Sequence, residues 1–197
     1  MNIGIDIDGV LTNIAEFALE KGLEFCKETG KGKLIKISSY DTKEAFGWDE
    51  ETDNAFWKKY LFLYATENPV IDGASENIKK LKKDGNNLYI ITARGLAGPD
   101  VTNIEIRDKM RNIVKDWLSK NDIVYDEIIF TTEDKSQAIK DKKIDVMIDD
   151  SPYNLKSLSK ITKMICYDWP YNRDVNNENI YRCYNWDEIY EYINNIK

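Results

Sequence analysis

The stretch Asp6–Thr12, DIDGVLT, decides the fold, because it follows a short apolar run and carries two carboxylates. Asn2–Ile5 before it predicts a buried strand of a parallel sheet. Asp6 and Asp8 are two residues apart, so strand periodicity directs both side chains to the same side. Gly9 then lets the chain turn without a Cβ atom in front of a ligand. Open α/β sheets bind ligands at the carboxyl end of a strand. The same Asp-Gly sequence also occurs in a turn between a strand and a helix that has no catalytic role.

Composition indicates an ordinary globular chain of one domain, long enough to enclose a core and an inserted lobe: 197 residues, 42% hydrophobic and 32% charged. The formal charge of −7 argues against a nucleic-acid polymer as partner, because a phosphate backbone needs a basic surface. No apolar run approaches membrane-spanning length, and the first residues lack the pattern of a signal peptide. We therefore expect a cytoplasmic protein that does not bind a membrane.

Cysteine and histidine usage narrows the chemistry further. Three widely spaced cysteines, an odd number, are typical of reduced thiols in a cytoplasm. The chain has no histidine. This excludes catalytic triads with histidine, histidine-ligated zinc and histidine general bases.

Helical and strand patterns alternate along the rest of the chain, which predicts a parallel sheet with helices on both faces. The later strands are predicted at 88–91, 128–130, 144–148 and 164–167. Helix starts are predicted at side chains that can cap them, namely Asn13, Thr52 or Asp53, Ser75, Thr102, Asp150 or Ser151, and Asn185. Residues 31–49 and 172–179 are expected to be irregular. We expect a Rossmann-like α/β core over 1–12 and 71–197, with a small helical cap inserted at 13–70.

Polar residues recur where three of these later strands end. Thr92, Lys135 and the pair Asp149-Asp150 each follow a predicted strand. Taken singly, they also fit a turn residue, a solvated lysine and a helix cap. Parallel strands, however, bring their carboxyl ends to one edge of the sheet. We therefore expect these residues to meet the two acids of the first loop.

Such a cluster has a defined chemistry. Asp6, Asp8 and Asp149 would repel one another unless protons or a cation intervene. A set of oxygen ligands without histidine or cysteine favours a hard cation, Mg²⁺ first. The ammonium of Lys135, the Thr92 hydroxyl and backbone N–H groups of the first loop suit a tetrahedral anion. A phosphate beside a carboxylate nucleophile is the arrangement for phosphoryl transfer through an aspartyl-phosphate.

These elements in this order resemble the four motifs of the haloacid dehalogenase (HAD) superfamily of phosphatases. The insertion after the first motif, the segment IDDSPYN (148–154) and the segment DWPYN (168–172) are similar to the 5′(3′)-deoxyribonucleotidases and their bacterial nucleotidase relatives. The resemblance covers nearly the whole chain. It implies a HAD-like fold and a phosphatase activity.

The resemblance also implies catalytic roles. Asp6 is then the nucleophile, and Asp8 is the general acid that protonates the leaving oxygen and later activates water. Thr92 hydrogen-bonds the phosphoryl oxygens, and Lys135 offsets their charge.

The implied cofactor is Mg²⁺. Asp149 completes its site together with Asp6 and the backbone carbonyl of Asp8. Asp150 supports this site without itself being a ligand of the metal.

Two positions depart from the characterised deoxyribonucleotidases. Ile14 stands where those enzymes have an aromatic residue against the base, and Ala93-Arg94 stands where they have a small polar residue and proline. Arg94 is expected either to meet a phosphate or carboxylate of the substrate or to pair with a surface acid. The aromatic residues that could stack on a base are Tyr40, Phe46, Trp48, Trp57, Tyr60, Phe62 and Tyr64. The predicted substrate contacts are Gly9, Tyr40, Trp48, Ala93 and Arg94.

The predicted function is a Mg²⁺-dependent phosphomonoesterase for a small phosphorylated metabolite, with a nucleoside monophosphate as the first choice. A phosphatase of sugars or other metabolites is the alternative on the same chemistry. A signalling receiver domain uses similar residues, but there the acidic pair comes first and the phosphorylated aspartate later. A binding or regulatory protein without turnover is a further alternative.

Overall fold

The protein, described here by a computed structural model over residues 1–96 and 102–196, contains one six-stranded parallel sheet in the order β3-β2-β1-β4-β5-β6. The strands are β1 Asn2–Ile5, β2 Asn87–Thr92, β3 Glu127–Phe130, β4 Val146–Asp149, β5 Lys163–Tyr167 and β6 Ile180–Cys183. The helices of the described residues are α1 Ile14–Thr29, α2 Thr42–Phe46, α3 Glu50–Glu67, α4 Ala74–Lys83, α5 Ile104–Lys120, α6 Ser136–Lys142, α7 Pro152–Leu158 and α8 Trp186–Asn195. The predicted α/β class is confirmed.

Strand β1 lies in the middle of the sheet and fixes where a ligand can bind. Ile5 is in register with Ile90 of β2 on one side and with Ile148 of β4 on the other. The chain adds β2 and β3 on one side of β1, then returns to add β4, β5 and β6 on the other. The order therefore reverses between β1 and β4, and ligands of open α/β sheets bind at the carboxyl ends beside such a reversal.

Both faces of the sheet are covered, which explains why its strands read as continuous apolar runs. Ile90 belongs to the larger apolar cluster and its neighbour Ile91 to the smaller one. In β4, Val146 and Ile148 point into the larger cluster while Met147 points into the smaller. The larger cluster includes residues of α5 and α8, and the smaller one residues of α6 and α7.

Helices α1, α2 and α3 lie between β1 and β2 and are called the insertion below. The buried residues of its own apolar cluster are Phe25, Ala45, Phe46, Trp48, Phe56 and Tyr60. Helix α3 also packs against α5 of the core. A separate cap domain with boundaries at 13 and 70 stays a prediction. Among the described residues, no helix has the length and apolar character needed to cross a membrane.

Three predicted helix starts are confirmed by their capping hydrogen bonds. Asn13, Ser151 and Asn185 each accept a bond from the backbone N–H three residues on. These side chains satisfy donors that the first turn of a helix leaves free. Helix α1 also ends as predicted, at Gly30 in the left-handed conformation.

Three other starts are wrong by a few residues. The observed cap positions are Asp49 instead of Thr52 or Asp53, Gly73 instead of Ser75, and Asn103 instead of Thr102. Ser75 instead donates its hydroxyl to the carbonyl of Asn121. Where several small polar residues stand together, such tertiary contacts select the cap, and local sequence does not contain them.

Two elements fall in segments predicted as irregular or left unassigned. Helix α2 has five residues and lies within 31–49, and edge strand β6 has four residues directly after the loop 172–179. Both are too short for a periodic pattern to be read.

Candidate active site

The carboxyl ends of the strands bring most of the predicted site residues together. Asp6 follows β1, Thr92 ends β2 and Asp149 ends β4. Lys135 directly precedes the first residue of α6, beyond β3. All four are buried.

Lys135 links the acids that follow β1 and β4. Its ammonium lies 2.8 Å from Asp6 Oδ1 and 2.7 Å from Asp149 Oδ2, and the residue is only 2% exposed. Burial opposes the charge on Lys135, but the two carboxylates outweigh burial and raise its pKa. Burial also raises the pKa of Asp6, to about 7, because Lys135 opposes this effect only in part and Asp149 adds to it.

Asp6, Asp149 and Asp150 form the acid triad: three buried carboxylates, each with an oxygen within 4.8 Å of the others. Burial, with Asp149 next, raises the pKa of Asp150 well above its usual range. One ammonium faces three acids, so negative charge is left over when all are ionised. Buried oxygen ligands at this spacing fit a hard divalent cation, Mg²⁺ before the others. Asp150 thus lies close to the predicted ligands, and its supporting role stays a prediction.

Asn154 is a site residue that sequence reasoning missed. Its amide nitrogen lies 3.1 Å from Asp149 Oδ2, and the backbone N–H of Ser151 donates to Asp149 Oδ1 at 3.0 Å. These bonds come from the start of α7 and fix the carboxylate that Lys135 also holds. The signal that could have found Asn154 is its place in the first turn of a helix that begins directly after the acidic pair.

Gly9 is required by the close approach of Asp150. Gly9 has φ +70°, and a Cβ atom there would lie 2.0 Å from Asp150 Oδ2. Any other residue type would therefore clash as well as adopt a strained backbone. The hydroxyl of Tyr171 donates to the same Asp150 oxygen.

Two indole groups hold the loop that carries Asp6 and Asp8. Trp169 Nε1 donates to the carbonyl of Gly9 at 2.7 Å, and Trp186 Nε1 donates to the carbonyl of Val10 at 3.0 Å. Both carbonyls are thereby satisfied in a largely dry place, where an unpaired group is costly.

Asp8 lies in a second cluster, separate from the acid triad. Its Oδ1 accepts bonds from Arg94 Nε at 2.9 Å and Nη2 at 2.6 Å, and from the hydroxyl of Tyr64. Thr12 Oγ1 completes the cluster, 3.2 Å from Arg94 Nη2 and 2.7 Å from the Tyr64 hydroxyl. Burial alone would raise the pKa of Asp8, but Arg94 and Tyr64 hold it below its ordinary value.

Arg94 therefore pairs with an acid, one of the two expected possibilities, but the acid is the partly buried Asp8 of the site instead of a surface residue. Its contact with substrate stays a prediction. Tyr64 comes from α3 and was expected only as one of several stacking aromatics. No local pattern distinguishes it from the other aromatic residues of that helix.

A cavity of about 580 Å³ connects the acids to the insertion. Of the predicted substrate contacts, Tyr40, Ala93 and Arg94 line it, as does Ile14. Trp48 is instead packed within the insertion, 7% exposed, with its ring stacked on Phe46 at 4.6 Å between centroids. The structure thus brings three of the five predicted contacts to the cavity wall, and neither Gly9 nor Trp48 is part of that wall.

The order in which the strands deliver these groups separates two classes of protein. In a receiver domain the acidic pair comes from the first strand and the phosphorylated aspartate from a later one. Here the DxD pair follows β1 and the second acidic pair follows β4, with Thr92 and Lys135 between them in sequence. This is the arrangement of a phosphatase of the HAD superfamily.

Within that class the family is shown directly. The model of the family "5' nucleotidase, deoxy (Pyrimidine), cytosolic type C protein" matches residues 1–197, and the chain belongs to this family. It is therefore an enzyme, a hydrolase of phosphoric monoesters.

Individual relatives agree with this assignment. A nucleotidase of Clostridium acetobutylicum is 28% identical over 200 residues, which cover 100% of this chain and 95% of that protein. A HAD-superfamily hydrolase of Geobacter sulfurreducens superposes with a TM-score of 0.59 at 13% identity, covering 98% of this chain and 95% of the other. The D,D-heptose 1,7-bisphosphate phosphatase of B. bronchiseptica, whose structure contains magnesium and phosphate, superposes with a TM-score of 0.53 at 13% identity over 100% of both chains. These two superpositions show the shared fold.

Proposed function

We propose that this protein is a Mg²⁺-dependent phosphomonoesterase that dephosphorylates nucleoside monophosphates through a phosphoenzyme on Asp6. The observation that carries the proposal is the position of Asp6, which lines the cavity and is held by Lys135 beside two further carboxylates. A carboxylate fixed in this way can attack a phosphorus atom that enters from the cavity.

The chemistry balances with residues of this chain. A carboxylate oxygen of Asp6 attacks phosphorus, the ester bond breaks, and Asp8, in its protonated form, gives its proton to the leaving oxygen. Asp8 then takes a proton from a water molecule that attacks the phosphorus of the aspartyl-phosphate, which releases inorganic phosphate and restores Asp6.

In this proposal Thr92 and Lys135 bind the phosphoryl oxygens. The Thr92 hydroxyl oxygen accepts the backbone N–H of Arg94 at 3.1 Å, so its own proton is available to donate. The charge of Lys135 offsets negative charge that gathers on the transferring group.

We infer that Mg²⁺ is held by Asp6, Asp149 and the backbone carbonyl of Asp8, with Asp150 either as a further ligand or as their support. When bound, Mg²⁺ supplies charge neutralisation and polarises the phosphoryl group. The leftover negative charge of the acid triad supports this assignment.

The cavity supports a substrate of nucleotide size. About 580 Å³ lies within the usual range of small-ligand sites, roughly 300–1,000 Å³, and is too small for a polymer. Its wall on the insertion includes aromatic Tyr40 and Trp57 and apolar Ile14 and Leu61. Such a wall suits a planar base, and the insertion would act as a cap that limits bulk water.

A sugar phosphate is the second candidate, because the same wall carries a polar group. Thr42 donates to Asp53 within reach of the cavity, and Asn54 also lines it. These side chains could bind hydroxyl groups of a sugar as well as the edge of a base.

The test is phosphate release from 5′- and 3′-nucleoside monophosphates, hexose phosphates and 4-nitrophenyl phosphate, each with Mg²⁺ and with chelator. We expect nucleotides to have the highest kcat/KM and chelator to abolish turnover. Equal kcat/KM for hexose phosphates would remove the nucleotide assignment and leave the phosphatase chemistry.

Tyr40→Ala and Trp48→Ala form a matched pair that tests the cavity wall. Tyr40 is 54% exposed and lines the cavity, so its loss is expected to raise the KM for nucleotides by roughly two- to tenfold, with little change in Tm. Trp48→Ala removes a packed ring and is expected to lower stability by about 3–5 kcal/mol without a specific KM effect. A raised KM in Trp48→Ala and an unchanged KM in Tyr40→Ala would mean that the base binds beside Trp48 instead of Tyr40.

A further inference from the structure

We propose that Tyr64 and Arg94 are positioning residues for Asp8: they hold one carboxylate oxygen and leave the other to carry the proton. The inference rests on the proposed role of Asp8 as general acid and base. It adds that a residue of the insertion, far from Asp8 in sequence, controls where that proton is delivered.

The hydrogen bonds on Asp8 are strongly one-sided. Oδ1 accepts three bonds, two from Arg94 and one from Tyr64. A carboxylate oxygen has about two lone-pair directions, so three donors saturate it. Within residues 1–96 and 102–196, Oδ2 accepts no hydrogen bond, and the side chain is 29% exposed. Oδ2 is therefore the oxygen that can exchange a proton with substrate or water.

Tyr64 is fixed as a donor toward Asp8. It is 2% exposed, and its hydroxyl points at the Asp8 carboxylate. The phenol donates to Asp8 Oδ1, which accepts both when Asp8 is ionised and when it carries a proton on Oδ2. The Thr12 hydroxyl, 2.7 Å away, holds the phenol oxygen from the other side.

Arg94 and Tyr64 together are called the clamp, and Arg94 supplies its planar part. Nε and Nη2 both point to Asp8 Oδ1, and the guanidinium carbon lies 4.6 Å from the centre of the Tyr64 ring. The third nitrogen, Nη1, is buried without a hydrogen-bond partner in the described part of the chain. The Tyr64 ring thus covers the Arg94 guanidinium, and the Tyr64 hydroxyl binds the same Asp8 oxygen as Arg94. The two residues therefore act as one unit.

The clamp joins two parts of the molecule. Asp8 and Arg94 follow β1 and β2 of the core, whereas Tyr64 lies in α3 of the insertion. If it positions the acid, its loss should matter most where proton donation matters most. A nucleoside leaves as a basic alkoxide that must be protonated, whereas 4-nitrophenolate leaves without help.

The experiment compares Tyr64→Phe and Arg94→Lys with the unaltered enzyme on both substrates. Tyr64→Phe removes only the hydroxyl and keeps the ring over Arg94, and Arg94→Lys keeps the charge without the fork. We expect kcat/KM for the nucleotide to fall by about 10- to 100-fold and that for 4-nitrophenyl phosphate by less than about threefold, because kcat/KM reports the step in which the ester bond breaks.

Tyr60→Phe is the matched control. Tyr60 lies one turn earlier in α3 and packs in the apolar cluster of the insertion, with its side chain outside the cavity wall described above. Its variant is expected to leave both kcat/KM values unchanged. Thermal unfolding of all three variants checks that they are folded.

Two results overturn the inference. Equal losses on both substrates would mean that Tyr64 and Arg94 serve phosphate binding or folding, and no loss on either would mean that Asp8 needs no clamp. Asp8→Asn provides the reference: if it lacks leaving-group dependence, the proposed function fails at Asp8 itself. If Asp8→Asn shows that dependence and Tyr64→Phe and Arg94→Lys do not, only the clamp is wrong. Should nucleotides be poor substrates, the same comparison uses whichever alkyl phosphate the enzyme hydrolyses.

Discussion

Asp6 and Asp8 are two residues apart, yet their carboxylates lie in opposite electrostatic surroundings. Asp6 shares one ammonium with Asp149 and lies beside Asp150 as well. Asp8 has a guanidinium to itself and a phenol in addition. Burial therefore prevails at Asp6 and raises its pKa to about 7, whereas at Asp8 burial is outweighed by Arg94 and Tyr64 acting together, which lower the pKa.

The contrast shows how one loop can provide two kinds of carboxylate. The acid triad has more negative than positive charge and is suited to take up a cation. The Asp8 cluster is balanced and saturated on one oxygen, so it is suited to hold a geometry. The groups that contact Asp6 and those that contact Asp8 come from different strands and helices. The two acids therefore differ because the fold places different partners beside each.

The largest expected effect is that of Asp6→Asn. An amide cannot attack phosphorus, so turnover is expected to fall to the uncatalysed background and no phosphoenzyme should form. Rapid acid quench with a substrate labelled in the phosphate, followed by hydroxylamine release, measures the intermediate. Near-normal turnover in this variant would contradict covalent catalysis at Asp6.

Asp8→Asn is expected to be the next largest. It keeps the nucleophile and removes proton transfer, which is worth on the order of 10²–10⁴ in rate. Steady-state kinetics should show a greater loss with nucleotides than with 4-nitrophenyl phosphate. A loss as complete as that of Asp6→Asn on both substrates would mean that the two acids do not have separate roles.

Asp149→Asn tests the charge excess of the triad. Removing one carboxylate is expected to raise the Mg²⁺ concentration for half-maximal activity by at least about tenfold, so that high Mg²⁺ restores part of the rate. Asp150→Asn is the comparison: an equal shift indicates a ligand and a smaller one a supporting role. A rate loss that no Mg²⁺ concentration relieves would argue against a metal role for Asp149.

The smallest expected effect is on stability. The pKa of Asp6 is raised from 3.8 to about 7, so its contribution to stability is fully present below 3.8 and is lost as pH rises through about 7. The metal-free protein should therefore lose stability between about pH 4 and pH 7 relative to Asp6→Asn. Mg²⁺ should also raise Tm more at pH 8 than at pH 6, since protons compete for the same oxygens. Thermal unfolding with Mg²⁺ and with chelator measures both effects. A larger rise in Tm from Mg²⁺ at pH 6 than at pH 8 would contradict the expected competition between protons and the metal.

The parts of the site that sequence predicted are those that strand ends determine. Asp6, Thr92 and Asp149 each stand at the carboxyl end of an apolar run, and a parallel sheet brings such ends together without further information. The same reasoning placed Lys135, because a short loop beyond β3 leads to the same edge.

The contacts that sequence did not predict come from side chains whose partners are distant. Tyr64 and Tyr171 reach Asp8 and Asp150 from 56 and 21 residues away, and nothing in their own neighbourhood indicates an acid. Trp48 shows the converse: an aromatic residue beside a predicted pocket packs inward, because burial of a large ring in the insertion is favoured. The sequence shows how many aromatic residues this segment has, but it does not show which of them line the cavity and which pack in the core of the insertion.

The indole bonds to Gly9 and Val10 have a consequence for biosynthesis. The loop with both proposed catalytic acids is among the first parts of this sequence to be translated, but its two donors lie 160 and 176 residues further on. A nascent chain still attached to the ribosome lacks Trp186 until almost all of this sequence has been made. We expect phosphatase activity to appear only after Trp186 has been translated, because the loop with both acids depends on the two indole donors.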